Sequence, residues 1–195
     1  ETDYEGVSLI PSEFDLCAAE VELARMSFDV DNGEVDKNRE RHLTWLKEAL
    51  QPIVNGRRFD IVLIDCPPAL GLLTLNGLAW ADRVLVPLQA EFFALEGLAF
   101  LLRTLDRVKR GSNASLQLLG VVLTMYDGRN RLAQQVESDV RTHLRGRVFK
   151  TKIPRNVRLS EAPSHAQPIF DYDERSSGAL AYAALSDEIA TSLGL

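Results

Sequence analysis

A nearly continuous apolar run at residues 59–64 constrains the fold more than any other part of the chain. Five of its six residues are apolar, the exception being Asp60, and the run ends at the segment DCPP, residues 65–68. A strand that is apolar at successive positions is buried on both faces, as in the middle of a parallel sheet. The run therefore predicts a central strand in a sheet whose two faces are covered.

The rest of the chain alternates between short apolar runs, which predict strands, and amphipathic segments, which predict helices. Strands are predicted at 7–10, 59–64, 84–87, 116–125 and 148–153, and helices at 16–28, 39–50, 72–80, 93–109, 131–144 and 178–193. The helix at 39–50 is expected to stop before Pro52, and a loop is expected from the last strand through Pro168. Alternating strands and helices predict an α/β fold, a mostly parallel twisted sheet with helices on both faces, in a single domain spanning 1–195.

Composition excludes several classes of protein. Hydrophobic residues make up 46% and charged residues 26% of the 195 residues, as in ordinary globular domains. No run of 18 apolar residues predicts a membrane span, and the first residues do not have the pattern of a signal peptide. The two cysteines and three histidines are scattered, so no metal cluster is predicted. Two isolated cysteines are typical of a reducing, cytoplasmic compartment.

Basic residues are concentrated between Arg129 and Arg158, although the net charge is −6. This basic stretch contains nine Lys and Arg but only two acids, which leaves 13 Lys and Arg against 26 Asp and Glu in the rest of the chain. Such an asymmetry is typical of a polyanion-binding face on an acidic protein. A solvated surface without a partner has the same composition, and the charges alone leave both interpretations open.

Ligands of open α/β sheets bind at the carboxyl ends of the strands. The predicted ends are Asp65 and the segments 87–91, 124–129 and 154–158. An acidic residue that closes a buried strand suits a Mg²⁺–nucleotide site, because the strand holds the carboxylate that orients water around the ion. The alternative is that Asp65 only begins a turn before the two prolines.

Four long segments of the chain resemble the ParA/Soj family of chromosome and plasmid partition ATPases. The segment similar to the family's Walker B and switch II region is FDIVLIDCPPALGLLTLNGLAWADRVLVPLQAEFFALEGL. The other three are GVSLIPSEFDLCAAEVEL, LGVVLTMYDGRNRLAQQV and KTKIPRNVRLSEAPSHAQPIFDYDERSSGALAYAAL. They occur in the family's order and spacing and cover nearly the whole chain, with the weakest similarity at 28–57.

The resemblance implies a site for ATP and Mg²⁺. Asp65 would be the Walker B carboxylate, which is the catalytic residue and holds Mg²⁺ through water. Pro154, Arg155 and Asn156 match the family's IPRN loop beside the adenine, where Asn156 is suited to hydrogen bonding the base. Met125 and the end of its strand would pack near the same base.

The resemblance also implies DNA binding without sequence preference. Arg129, in TMYDGR, and Arg158, in IPRNVR, match basic positions that have this role in the family. Both belong to the basic stretch, so the charge count and the resemblance agree.

The chain departs from the family in its phosphate-binding loop. No G-x-x-x-x-G-K-S/T motif occurs, and there is no Gly-Lys dipeptide. In the family this loop precedes the segment that matches GVSLIPS, so we expect an N-terminally truncated chain that lacks the first βαβ unit. Phosphoryl transfer depends on neutralising the phosphate charge, so this chain alone is expected to be inactive.

For the complete protein, the resemblance implies a DNA-segregation ATPase. It would form an ATP-dependent homodimer, bind nucleoid DNA in the bacterial cytoplasm, and be stimulated by a ParB/Spo0J-type partner. A MinD-like membrane-associated ATPase is an alternative, but it needs a basic amphipathic tail, and no Lys or Arg follows Arg175. The second alternative is a degenerate, non-hydrolysing paralogue that acts as a binding module.

Overall fold

The structure, a computed structural model, describes residues 2–13, 15, 16, 18, 20–22, 41–55 and 59–195. The chain forms two compact units. The first comprises residues 1–80 with 110–114, and the second comprises residues 81–109 with 115–195. Each unit is described by itself below, and the prediction of a single domain stays a prediction.

The first unit is helical over much of its described part. Residues 16, 18 and 20–22 are helical, which agrees with the described part of the helix predicted at 16–28. The other helical elements are a 3₁₀ turn at Arg41–Leu43, helix α1 at Trp45–Val54 and helix α2 at Leu72–Trp80.

A buried amide joins α1 and α2. Asn76 of α2 is 3% exposed, and its side-chain nitrogen donates to the His42 carbonyl at 2.7 Å. Its side-chain oxygen accepts from the Leu46 N–H at 3.3 Å. Because a buried polar group without partners costs about 1–3 kcal/mol, these bonds hold α2 against the 3₁₀ turn and the start of α1.

Helix α1 continues past the proline at which the sequence predicts its end. Pro52 lies inside the helix and has no N–H to give to the carbonyl four residues earlier. The Asn55 N–H still closes the last turn on the Gln51 carbonyl at 2.9 Å. The predicted end at residue 50 is therefore wrong by about one turn, since one missing hydrogen bond near the end of a helix does not stop it.

The strands predicted at 7–10 and 59–64 are wrong. Both segments are described, and neither is part of a sheet. Leu63 is 89% exposed, although the pattern predicts burial on both faces. A strand requires a neighbour that accepts and donates its backbone hydrogen bonds, and among the described residues no segment pairs with 59–64. The apolar pattern indicates that the side chains favour burial, but it does not indicate which segment would pair with them as a neighbouring strand.

The second unit is a parallel α/β unit. Its three strands are all parallel in the order β1-β2-β3. The strands are β1 at Arg83–Gln89, β2 at Gln117–Tyr126 and β3 at Val148–Pro154. The helices are α3 at Ala94–Arg110, α4 at Arg131–His143, α5 at Val157–Glu161, α6 at Ile169–Tyr172 and α7 at Ser177–Leu193, with a 3₁₀ turn at Ala162–His165.

Helices cover both faces of this sheet. On one face Val121 and Leu123, both 0% exposed, pack with Leu98 of α3 and Val136 of α4. On the other face Val122 packs with a second group of buried residues, which includes Leu185 of α7. Successive side chains of a strand point to opposite faces, so β2 contributes to two cores. The predicted α/β fold class, a parallel sheet with helices on both faces, is confirmed.

Both outer strands of the sheet carry a feature that limits further pairing. Pro87 lies in the middle of β1 and has no N–H. Along β3, the Glu188 carboxylate of α7 accepts the N–H of Lys150 at 2.7 Å and that of Thr151 at 3.0 Å. Burial raises the pKa of Glu188, but these backbone hydrogen bonds outweigh it, so the pKa lies below its ordinary value.

Candidate functional site

The carboxyl ends of the three strands meet at one edge of the second unit. Tyr126 pairs with Pro154 in the β2–β3 register, and the Arg155 N–H donates to the Tyr126 carbonyl at 3.3 Å. At the end of β1, the Ala90 N–H donates to the Thr124 carbonyl at 3.4 Å. The predicted adenine-contacting residues, Met125 and 154–156, therefore lie at or just after the ends of two neighbouring strands. We call the surface formed by these four residues the strand-end edge.

Met125 has a backbone conformation that sets it apart within β2. Its φ is 51°, in the left-handed region that non-glycine residues rarely adopt. The register shows why: Leu123 pairs with Lys152 and Tyr126 with Pro154, so two residues of β2 face one residue of β3. This arrangement is a β-bulge, a device that redirects side chains next to binding sites. Met125 is 43% exposed at the strand-end edge.

Asn156 caps a helix. Its side-chain oxygen accepts the N–H of Arg158 at 2.7 Å and that of Leu159 at 3.4 Å, at the start of α5. Its side-chain nitrogen donates to the Ser177 hydroxyl at 2.7 Å, at the start of α7. The amide therefore has partners in two helices, and the predicted hydrogen bond to a base stays a prediction.

Arg129 is exposed and paired with an acid two residues earlier. Its side chain is 92% exposed, and its Nε and Nη2 bind Asp127 Oδ1 and Oδ2 at 3.0 and 2.8 Å. The Asp127 Oδ1 also accepts the Arg129 backbone N–H at 3.0 Å. The hydrogen bonds from the Arg129 side chain and backbone lower the pKa of Asp127 to about 2. The side-chain hydrogen bonds to Asp127 also raise the pKa of Arg129.

Arg158 is also paired. Its Nη1 binds Glu161 Oε2 at 2.9 Å, and its Nε lies 3.5 Å from Asp173 Oδ2. The Tyr172 hydroxyl donates to the same Glu161 oxygen at 3.1 Å. The hydrogen bonds from Arg158 and Tyr172 lower the pKa of Glu161, so this carboxylate is a charged partner of Arg158 across the neutral pH range.

Glu137 of α4 is a residue that sequence reasoning counted only as a charge. Its carboxylate accepts from the Tyr126 hydroxyl at 2.6 Å, from Arg141 Nε at 2.9 Å and from Lys152 Nζ at 3.0 and 3.1 Å. Burial raises its pKa, but the hydrogen bonds from these three side chains outweigh it and lower the pKa to about 2. The spacing of Glu137 and Arg141, four residues apart on a helix, is the signal that predicts part of this cluster.

Some cations of the basic stretch are paired with carboxylates. Four of its nine Lys and Arg form ion pairs with carboxylates: Arg129, Arg141, Lys152 and Arg158. Arg155, at the strand-end edge, is exposed and close enough to Asp127 to lower the pKa of that carboxyl. Arg145 is exposed near the opposite end of β3, before its first residue. The local charge is therefore partly neutralised by acids outside the stretch.

Asp65 belongs to the first unit and is exposed. It follows segment 61–64 and precedes Cys66, whose pKa is raised by burial and by the neighbouring Asp65 carboxylate. Within the described residues, no group of three or more His, Cys, Asp or Glu is placed to hold a metal ion. A Mg²⁺ held through water by Asp65 therefore stays a prediction.

In the parts of the chain that the structure describes, no helix has the length and apolarity to cross a bilayer.

The sequence has close relatives among partition proteins. A family model described as AAA domain matches residues 1–118. The chain is 45% identical over 189 residues to the chromosome partitioning protein ParA of Caulobacter vibrioides, covering 97% of this chain and 66% of that protein. It is 47% identical over 188 residues to the chromosome-partitioning ATPase Soj of Treponema pallidum, covering 96% of this chain and 68% of that protein.

A solved structure with bound nucleotide is also similar. The crystal structure of cobyrinic acid a,c-diamide synthase from Mycobacterium smegmatis, with an ATP analogue and magnesium, has a TM-score of 0.67 and 36% sequence identity. The similarity covers 95% of this chain and 62% of that one. The present chain therefore spans about two thirds of the length of its relatives.

Proposed function

The chain belongs to the ParA/Soj family of chromosome-partitioning ATPases, and from that premise we propose that the complete gene product is a DNA-segregation ATPase. It binds ATP with Mg²⁺, dimerises on ATP, and binds DNA without sequence preference. A ParB/Spo0J-type partner stimulates hydrolysis, and the protein is associated with the nucleoid in the bacterial cytoplasm. Identity of 45–47% over nearly the whole chain to proteins named for chromosome partitioning supports this proposal.

The observation that carries the DNA-binding part is the position of two exposed arginines. Arg129 follows the end of β2 and Arg158 follows the end of β3, and these ends are joined by the Tyr126–Pro154 pair. Their side chains are 92% and 54% exposed, with Arg129 in the turn after β2 and Arg158 in the first turn of α5. Guanidinium groups bind phosphate oxygens through paired hydrogen bonds that carry no sequence information.

The nucleotide part is supported by a relative with a bound ATP analogue and magnesium at 36% identity. We propose that Met125, Pro154, Arg155 and Asn156 contact the adenine at the strand-end edge and that Asp65 holds Mg²⁺ through water. When bound, the ion neutralises charge on the phosphates. The bulge at Met125 supports this role, because it turns a flexible apolar side chain to the surface at that edge.

The DNA-binding proposal is tested with Arg129→Ala and Arg158→Ala in the complete gene product, with ATP and Mg²⁺ present. Each variant is expected to weaken binding to any duplex sequence. The slope of log affinity against log salt should fall by about one unit for each phosphate that the variant no longer binds. Fluorescence anisotropy of a labelled duplex, over a salt series and with two unrelated sequences, measures both effects.

Arg145→Ala is the matched control, because it removes the same charge from the opposite end of β3. It is expected to keep the wild-type salt slope. Wild-type slopes in both Arg129→Ala and Arg158→Ala would remove these residues from the DNA-binding surface. Binding of the complete gene product to anionic vesicles in the presence of ATP would instead favour the MinD-like alternative.

A further inference from the structure

Both arginines of the proposed DNA-binding surface are held by carboxylates of their own chain. Arg129 uses two nitrogens, Nε and Nη2, to bind the two oxygens of Asp127. Arg158 binds Glu161 through Nη1, and Asp173 lies on its Nε side. A guanidinium binds carboxylate and phosphate with the same paired N–H donors. A phosphate that takes these donors therefore has to replace the carboxylate.

The negative charge of Asp127 is separable from the turn in which it lies. The Asp127 Oδ1 accepts the backbone N–H of Arg129 at 3.0 Å, two residues along the chain. Asparagine forms the same turn, because its side-chain oxygen is an equivalent acceptor. Replacing Asp127 with asparagine therefore removes the charge that holds the Arg129 side chain and keeps the backbone hydrogen bond.

We propose that Asp127 and Glu161 compete with DNA phosphates for Arg129 and Arg158, and so keep the DNA affinity below that of two unpaired arginines. This inference rests on the proposed function, because it concerns the same surface. The Arg129 side chain is 92% exposed, so the exchange of Asp127 for a phosphate requires only the guanidinium to move. A lower affinity for each phosphate makes release from DNA faster.

The size of the effect follows from the exposure of the ion pairs. Exposed ion pairs are individually weak, so removing one competing carboxylate should tighten DNA binding about two- to fivefold. Glu161 is expected to give the smaller change. Asp173 still lies near Arg158 when Glu161 has been neutralised, whereas Asp127 is the carboxylate that binds Arg129 directly.

The test compares Asp127→Asn and Glu161→Gln with the wild-type complete gene product, by anisotropy of a labelled duplex with ATP and Mg²⁺. Asp139→Asn is the charge-matched control. It removes one negative charge within the basic stretch from a carboxylate that accepts a hydrogen bond from the neutral Gln135 amide. The expected result is tighter binding by Asp127→Asn, a smaller gain for Glu161→Gln and little change for Asp139→Asn.

A second measurement repeats Asp127→Asn in the Arg129→Ala background, where the gain should vanish because the competing arginine is absent. Equal gains from Asp127→Asn and Asp139→Asn would overturn the inference, since they would indicate a general effect of net charge. Weaker binding by Asp127→Asn would also overturn it and would make Asp127 a residue that positions Arg129. DNA binding that is weakened in Arg129→Ala but unchanged in Asp127→Asn would overturn this inference alone. Absence of DNA binding by the wild type and by every variant would overturn the proposed function as well.

Discussion

Glu137 receives hydrogen bonds from three side chains that belong to three different elements. Tyr126 comes from β2, Arg141 from α4 itself and Lys152 from β3. Arg141 extends the cluster, because its Nη2 donates to the Phe149 carbonyl at 3.0 Å. The Glu137 side chain is 17% exposed, so its charge is partly withdrawn from water and depends on these partners.

The cluster predicts how the stability of the second unit depends on pH. The folded pKa of Glu137, about 2, lies below its ordinary value of 4.5. The stabilisation is therefore complete above pH 4.5 and is lost as the pH falls toward 2. Glu137→Gln should lower the free energy of unfolding by about 2 kcal/mol at neutral pH. Urea unfolding followed by circular dichroism, from pH 7 to pH 2, should show this difference shrinking in acid.

If the free energies of unfolding of the wild type and Glu137→Gln differed by the same amount over that whole pH range, the stabilising role of the Glu137 charge would be contradicted. Such a result would mean that Glu137 stabilises the unit by its shape and not by its charge.

The sequence predicted the two exposed arginines as binding candidates but not their acidic partners. Asp127 and Glu161 lie just outside the basic stretch, so the charge count leaves them out. Their spacings, two residues from Arg129 and three from Arg158, permit pairing. Whether the pairs form depends on a turn at 127–130 and on the start of α5, and charge patterning does not define the geometry of either.

At the scale of secondary structure, one amide links the short helix α5 to α7. Asn156 accepts two N–H groups at the start of α5 and donates to Ser177 in the first turn of α7. Helix α5 has only five residues and would be marginal without such help. The position of Arg158, in the first turn of α5, therefore depends on this cap.

Replacing Asn156 with alanine should lower the free energy of unfolding by about 1 kcal/mol, because the N-cap acceptor is removed. Asn156→Asp is the matched control, since aspartate keeps the acceptor but cannot donate to Ser177. Thermal unfolding should place Asn156→Asp between Asn156→Ala and the wild type. Equal stability of Asn156→Ala and wild type would show that the cap does not hold α5.

The strands and long helices of the second unit were predictable because each has its own periodic pattern. Each strand also pairs with the strand that comes next in the sequence. The strands at 84–87, 116–125 and 148–153 and the helices between them agree with the structure to within two residues. The short helix α5 lies in the region expected to be a loop, and α6 follows that region, where no element was predicted. Four or five residues are too few to show a period. The run at 59–64 was misassigned because a strand depends on a partner as well as on its own residues.

At the scale of the whole molecule, the chain has the strand-end edge, for which we propose contact with a base, but no sequence motif for phosphates. No Gly-Lys dipeptide occurs in the 195 residues, and a phosphate-binding loop requires its lysine and backbone N–H groups. We therefore expect no saturable binding of a fluorescent ATP analogue to the 195-residue chain in the presence of Mg²⁺. A titration followed by anisotropy measures this.

Fluorescent adenosine is the control for that titration. If only the strand-end edge contacts the ligand, adenosine and ATP bind equally weakly. Micromolar binding of ATP together with weak binding of adenosine would mean that another part of the chain holds the phosphates.

The two outer strands of the β1-β2-β3 sheet bear on how copies of this chain behave when crowded. Exposed strand edges are the usual starting points for fibril growth and strand exchange. A foreign strand that approaches β3 meets the Glu188 carboxylate already bound to Lys150 and Thr151. Along β1 it meets Pro87, which offers no N–H. Neither edge is therefore a good template for amyloid-like stacking, which lowers the tendency of copies of this chain to aggregate through their sheets.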